Sequence, residues 1–315
     1  MKLRRIESKW PTHFLSIPLA TTKTRPQVQE CVDRLRNDKS TAALPSPAWH
    51  SVDQIGIHLG SLRLSGSDGL RRACEILKNF VAPSILGTGS RDGPSITLKG
   101  LRSGYFGTPS VFTRRLYFDI MNPRPVQMLG KELHKVFHSH GLRLKQYPSK
   151  DSLEYTHHPA KIMDTRPLTS DESPGRELGF QVEKRLIYRP VFDARQVFAA
   201  HGDTLWAENL ALESICLREI TGLKDRVKDG KVFGQGYEDI FRVSLSDPAA
   251  SGYGQNDPET EYVRSSKIHH SKKVKTPFVI SSDPGALQTP ELRRYIEMEY
   301  PKVVRKLDTT PPTLR

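Results

Sequence analysis

The chain has 315 residues and a formal net charge of +13 at pH 7; only 36% of its residues are hydrophobic, and 23 are prolines. This length suffices for one large domain or two small ones, and the composition indicates a folded part joined to a sizeable unstructured part. The excess of Lys and Arg favours a polyanionic partner such as nucleic acid, because basic side chains release counterions from phosphate backbones. A solvated basic surface without a partner explains the same charge equally well.

No segment of the sequence approaches the roughly 18 apolar residues of a membrane span, and residues 1–10 are basic without the apolar core of a secretory signal. We therefore expect no membrane association and a location in the nucleus or the cytoplasm. Three cysteines, Cys31, Cys74 and Cys216, are widely spaced in apolar settings, which predicts reduced core thiols. No Cys and His spacing is typical of zinc and no Gly-rich phosphate loop occurs, so we expect neither a metal nor an organic cofactor.

Strands and helices are predicted in alternation up to about residue 245. Strands follow from the alternation of apolar and polar residues, and helices from capping residues and from a proline near a first turn. In chain order the predicted elements are strand Thr12–Leu19, helix Thr24–Arg36, strand Gln54–Leu64, helix Ser65–Phe80, strands Ser95–Leu101 and Arg114–Met121, helix Pro125–His140, strand Pro159–Arg166, helix Asp193–His201, and strands Leu210–Ile220 and Tyr237–Leu245.

The composition changes after Leu245. Ser, Gly, Pro, Asp and Lys dominate this segment and aromatic residues are sparse. Such a segment has too few apolar residues to offset the entropy lost on ordering. We therefore expect residues 246–315 to form a largely disordered basic tail.

Six short segments occur in an order that is more specific than any one of them. They are Thr12–Leu19 (THFLSIPL), Ile57–Leu64 (IHLGSLRL), Lys99–Leu101, the helix end Phe137–Leu142, Ile162–Thr165 and Phe192–Arg195. Their order resembles the phosphoesterase-like domain shared by the A-kinase anchoring protein of the gamma type and the KH-containing subunit of the activating signal cointegrator complex. The resemblance covers about residues 10–245, which are expected to form one domain.

This resemblance implies a LigT-like α+β fold, in which two lobes with antiparallel sheets and flanking helices enclose a central cleft. Each lobe of such a phosphoesterase gives the cleft one His-x-Thr (or Ser) strand, since residues two apart on a strand face the same side. One histidine acts as general base and the other as general acid, while the hydroxyls hold phosphate oxygens during cleavage of a phosphodiester.

The first His-x-Thr motif is incomplete in this chain. In a gapless register Leu59-Gly60 matches the family, Gly56 stands at the histidine position and His58 at the hydroxyl position. A two-residue deletion instead keeps His58 as the histidine and puts Gly60 in place of the hydroxyl. The gapless register is favoured because Leu62 then matches as well.

The second motif is incomplete too. The run Ile162–Thr165 fits the stretch that follows the motif, so Pro159 stands at the histidine position and Lys161 at the hydroxyl position. Proline cannot transfer a proton. His157 and His158 lie just upstream, and a one-residue bulge would bring His158 into the cleft. We favour the interpretation that both histidines are solvated at the strand entrance.

Because both motifs fail, our first hypothesis is a catalytically degenerate member of this family. Such a protein would bind RNA or nucleotide phosphate through His58 and Lys161, or act as a subunit of a nuclear transcription or repair coactivator complex. Sequence drift in a cleft that binds no ligand explains the loss of both motifs equally well. The alternative hypothesis is an active phosphodiesterase that uses His58 with His157 or His158 on a 2′,3′-cyclic phosphate or an oligonucleotide end.

Overall fold

The computed structural model describes residues 11–80, 94–103, 112–145, 160–164, 188–228, 231–245, 252–253, 261–264 and 276–280, together with residues 290 and 294. None of the helices in these residues is long and apolar enough to cross a membrane. Two of the helices carry a proline in the first turn, where its missing N–H leaves no hydrogen bond unmade. The helices described over their length are α1 (Arg25–Arg36), α2 (Gly66–Lys78), α3 (Arg124–Ser139) and α4 (Arg195–His201).

Fourteen strands occur in the same residues. They range from two-residue ladders to the long hairpin strands β10 and β11, and they are β1 (His13–Pro18), β2 (Gly56–Leu62), β3 (Ser95–Ser103), β4 (Phe112–Thr113), β5 (Arg115–Ile120), β6 (Leu144–Lys145), β7 (Ala160–Asp164), β8 (Tyr188–Asp193), β9 (Leu205–Ala211), β10 (Ser214–Lys228), β11 (Lys231–Ser244), β12 (Gly252–Tyr253), β13 (Glu261–Arg264) and β14 (Thr276–Ile280).

Eleven of these strands form one antiparallel sheet, in which two halves meet at β2 and β7. The first half has the order β12-β11-β10-β1-β2 and the second the order β7-β5-β3-β9, with β13 beside β10 and β6 beside β2. One residue pair, Ile57 opposite Ala160, joins the halves in the described ladder. The two sheets expected from the sequence are therefore the halves of one sheet. A separate sheet has the order β14-β8-β4, with β14 parallel to β8.

One face of the large sheet packs against the helices and forms the core. Leu15 and Ile17 on β1 and Ile57 and Leu59 on β2 are fully buried. They belong to one continuous apolar cluster that includes the buried sides of α1, α2 and α3. Burial of this apolar area is the main stabilising term of the fold.

The opposite face of the sheet is mostly polar, and we call it the polar face. Its members alternate with the core residues along each strand, as the strand registers require. In the first half it carries Phe14, Ser16, His58, Ser61, Arg218 and Asp239, and in the second half Arg102, Arg115, Tyr117, Asp119, Lys161 and Asp164.

Bulges in four strands decide which residues reach the polar face. In β2, Leu15 lies opposite Gly60 but Ser16 lies opposite His58, so Leu59 is the extra residue. Register shifts of the same kind occur in β3, β7 and β11. An extra residue in a strand places two successive side chains on the core face. Every residue after the bulge then lies on the face opposite to the one that strict alternation predicts. Ser61, Arg102, Asp164 and Asp239 reach the polar face in this way.

The predicted α+β class is confirmed, and most predicted elements recur with boundaries shifted by a few residues. The predicted single strand Leu210–Ile220 is wrong. The chain instead ends β9 at Ala211, turns through residues 212–213 and begins β10 at Ser214. Apolar alternation continues across this turn, which hides it in the sequence, yet β9 pairs with β3 and β10 with β1, in opposite halves of the sheet.

Three short segments after Leu245 form strands. β12 pairs with β11, β13 with β10 and β14 with β8, because unpaired strand edges accept short segments that bury little apolar surface. The ring of Tyr253 also packs edge-on against Phe241 at 4.9 Å. Most of residues 246–315 lies outside the described residues, and the boundary between domain and tail stays a prediction.

The prediction for the cysteines is confirmed, because Cys31, Cys74 and Cys216 are all buried and free. Burial raises the pKa of the Cys31 thiol to about 11, and it also raises the pKa values of the other two. All three are therefore protonated core side chains at neutral pH.

Candidate functional site

His58 lies on the polar face at the centre of the sheet and is half-buried. Its Nε2 atom is 3.1 Å from the hydroxyl oxygen of Ser61. The ring of Phe14 stacks on the imidazole with ring centroids 5.6 Å apart, and Tyr237 packs edge-on against Phe14. These contacts hold the imidazole in one orientation beside a hydroxyl group.

Ser61 supplies the hydroxyl that neither register of the first motif provided. Strict alternation from His58 would place Gly60 on the same face, and that position has no side chain. The bulge at Leu59 instead gives this place to Ser61 and turns Gly60 toward the core, opposite Leu15. The structure therefore contains the histidine and hydroxyl of a His-x-Ser strand in the longer spacing His-x-x-Ser.

A second hydroxyl lies directly across from His58. Ser16 faces it in the β1 and β2 register, and the side chain of Ser16 is 3% exposed. Its hydroxyl oxygen makes no hydrogen bond to any described residue. A buried hydroxyl in that state costs free energy unless a ligand or a water satisfies it.

Close packing of the backbone explains why position 56 is a glycine, which the motif did not suggest. A Cβ atom at this position would lie 2.8 Å from the carbonyl oxygen of Ile17, so a side chain does not fit without a shift of the backbone. Continuing the register from the pair of Ile57 and Ala160 puts Gly56 opposite Lys161. In the gapless interpretation, the histidine position is thus filled by a residue that close strand packing requires.

Lys161 lies on β7 and faces the same side of the sheet as His58. Its Nζ atom is 3.3 Å from Oδ2 of Asp164, and Nε of Arg115 is 3.4 Å from the same oxygen. Asp164 is 2% exposed, whereas the two cations are each 33% exposed. One buried carboxylate therefore holds two half-buried cations.

His58 and Lys161 lie on adjacent strands of the sheet. In the β2 and β7 register His58 and Lys161 are diagonal neighbours, and such pairs have Cα atoms about 7–8 Å apart. Both side chains are long enough to reach a ligand placed between them. The residues Pro159, His157 and His158 lie outside the described residues, so their predicted places at the second motif stay predictions.

The sequence interpretation missed a buried ion-pair network on the polar face. Nε of Arg218 is 2.6 Å from Oδ1 of Asp239, and Nη2 of Arg242 is 2.5 Å from Oδ2. Cys216 donates to Oδ2 at 3.3 Å. Burial opposes the charge on Asp239, but the two guanidinium groups outweigh it and hold the pKa of this carboxyl below its usual value. The sequence feature that could have revealed this network is an arginine and an aspartate on the last two predicted strands, at Arg218 and Asp239.

The described residues contain no cluster of three or more His, Cys, Asp or Glu side chains that could hold a metal ion. The donors of the polar face are instead hydroxyl, imidazole, ammonium and guanidinium groups. Hydrogen-bond donors and cations of this kind suit an anion with several oxygens, such as a phosphate.

Several solved structures match the chain at low sequence identity. A solved phosphoesterase is 14% identical, with a TM-score of 0.41, and the match covers 75% of this chain and 99% of that one. E. coli LigT complexed with NADP+ and LigT complexed with 3′-AMP are 13% and 12% identical, each with a TM-score of 0.39 over 75% of this chain and 99% of the other. No curated protein matches the sequence.

The family assignment comes from the sequence itself. The family model of the AKAP7 2′5′ RNA ligase-like domain matches residues 11–228, more than half of the chain. This span contains the strands that carry His58 and Lys161, and it confirms the resemblance drawn from the order of the six segments. The chain belongs to the family of AKAP7 2′5′ RNA ligase-like domains.

Proposed function

We propose that this protein binds a phosphorylated RNA or nucleotide end between β2 and β7 and does not hydrolyse it. The observation that carries the proposal is the pair of His58, with the Ser61 hydroxyl beside it, and Lys161 on the same face of neighbouring strands. RNA is the substrate class named in the description of the family. A net charge of +13 also favours a polyanion, because each phosphate contact releases counterions.

Hydrolysis by the two-histidine mechanism needs an imidazole from each of the central strands. The described part of β7, residues 160–164, contains none, and Lys161 is engaged with Asp164. A general acid and a general base each contribute about 10²–10⁴ in rate, so the loss of one cripples the reaction. His58 alone can bind a phosphate oxygen without completing the proton transfer.

The alternative function is an active phosphodiesterase, and the placement of His58 beside a hydroxyl is the observation that favours it. That function needs His157 or His158 as the second imidazole. A role as a subunit of a nuclear coactivator complex stays a prediction that follows from the resemblance. A location in the nucleus or cytoplasm stays a prediction that follows from the sequence composition.

Binding is tested by titrating a short 3′-phosphorylated RNA, and the same RNA without the phosphate, against the full chain at low salt. We expect His58→Ala and Lys161→Gln each to weaken binding of the phosphorylated RNA by about fivefold or more, as loss of one charge-assisted hydrogen bond does. Lys78→Gln is the matched control, because Lys78 is exposed on α2. Equal affinity of all four proteins for the phosphorylated RNA would contradict the proposal.

A further inference from the structure

A row of side chains crosses the polar face beyond the site between β2 and β7. The strand registers put Lys161 opposite Tyr117 and Tyr117 opposite Arg102, on three adjacent strands. Lys161 is 33% exposed and Arg102 is 43% exposed, and Tyr117 lies half-buried between them. The row therefore begins at the proposed phosphate site and leads away from it toward the edge of the second half.

The bulge at Gly100 brings Arg102 into this row. Leu98 pairs with Ile120 and Leu101 with Phe118, so β3 has one more residue than β5 over this stretch. Without the extra residue, Arg102 would face the core on the side of Leu98. Gly100 has a φ of +77°, and its N–H bonds to the carbonyl oxygen of Thr204 at 2.8 Å, which holds the bulge in place.

The cations of the row are held in place by two carboxylates. Nε of Arg102 is 2.6 Å from Oδ2 of Asp119, and Asp164 holds Lys161 and Arg115. A guanidinium has five N–H donors, so Arg102 can hold Asp119 through one edge and still donate to another anion.

We propose, on the basis of the proposed function, that Arg102, Tyr117 and Lys161 form a second phosphate subsite, so the ligand is an oligonucleotide whose terminal phosphate lies at His58. Neighbouring strands are about 4.8 Å apart, so the row from Gly56 to Arg102 spans about 15 Å. A single phosphate does not fill that length, whereas a chain of nucleotides does. The phenol of Tyr117 and the guanidinium of Arg102 are donors to the phosphates that follow the terminal one, and Lys161 lies between these donors and the terminal phosphate.

The test compares 3′-phosphorylated RNAs of one, two and four nucleotides. We expect affinity of the wild type to rise with length. Arg102→Gln should weaken binding of the tetranucleotide by about fivefold to tenfold and change binding of the mononucleotide less than twofold. It should also make the slope of log affinity against log salt shallower by about 0.7, the value for one contact to a single strand. Arg71→Gln, at an exposed arginine on α2 paired with Glu75, should change neither.

Tyr117→Phe is a second variant, which removes the hydroxyl and keeps the ring. We expect it to weaken binding of the tetranucleotide at least twofold and to leave binding of the mononucleotide unchanged. The subsite is wrong if the tetranucleotide binds no more tightly than the mononucleotide, or if both variants leave the length dependence unchanged. If His58→Ala leaves mononucleotide binding intact, or the wild type binds no phosphorylated RNA at all, the proposed function itself fails.

Discussion

The imidazole of His58 lies 3.1 Å from the hydroxyl of Ser61, although strict strand alternation would place these two residues on opposite faces. The bulge at Leu59 resolves this, because the register with β1 skips one residue there. The chain thus reaches the geometry of a histidine and a hydroxyl side by side with a spacing that a motif search for His-x-Ser does not detect.

Ser61→Ala tests whether this hydroxyl contributes to phosphate binding. We expect it to lower the affinity for 3′-phosphorylated RNA by about threefold to tenfold, which is the net value of one hydrogen bond. Ser61→Thr keeps the hydroxyl and should retain most of the affinity. Fluorescence titration at low salt measures both, and equal affinities of wild type and Ser61→Ala would show that the hydroxyl does not touch the ligand.

How far the sequence predicts this fold depends on where strict alternation holds. The strand around Ile57 and the apolar sides of α1 to α3 follow from periodicity alone, and the order of segments was enough to identify the family. The position of Asp164 was not predictable in the same way, because the bulge at Ile162 reverses its face. Two adjacent apolar residues, Ile162-Met163, are the only local sign of such a bulge.

Asp239→Asn should destabilise the protein by about 3–5 kcal/mol, because it leaves the buried charge of Arg218 without its partner. Asp119→Asn is the matched control. It removes a more exposed partner of Arg102 and should cost about 1 kcal/mol or less. Urea denaturation monitored by circular dichroism measures the free energy of unfolding. Similar losses in the two variants would show that the Asp239 network is not more important than a surface pair.

The contribution of Asp239 should depend on pH. Its pKa in the folded protein is held below the value in the unfolded chain, which is about 3.9. The stabilisation is therefore complete above about pH 5 and is lost as the pH falls through the lower, folded pKa. We expect the difference in unfolding free energy between wild type and Asp239→Asn to be the same at pH 7 and pH 5 and smaller at pH 3. A difference that is unchanged at pH 3 would contradict this.

Gly100→Ala should destabilise the protein more than Gly66→Ala. Both glycines have a positive φ, +77° and +67°, in which an L residue costs about 1–2 kcal/mol. A Cβ atom at Gly100 would also lie 2.3 Å from the carbonyl oxygen of Gly202, whereas nothing lies within 4 Å of one at Gly66. In urea denaturation, the free energy of unfolding should fall by at least about 2 kcal/mol for Gly100→Ala and by about 1 kcal/mol for Gly66→Ala. Equal losses would show that the contact with Gly202 relaxes freely.

The central claim is that the site binds phosphate without cleaving it. The most direct measurement is turnover of a 2′,3′-cyclic nucleotide by the purified full chain, with His58→Ala measured in parallel. The proposed function predicts no turnover above buffer for either protein, together with binding of the phosphorylated RNA that His58→Ala weakens. Robust hydrolysis by the wild type that His58→Ala abolishes would contradict it and establish an active phosphodiesterase.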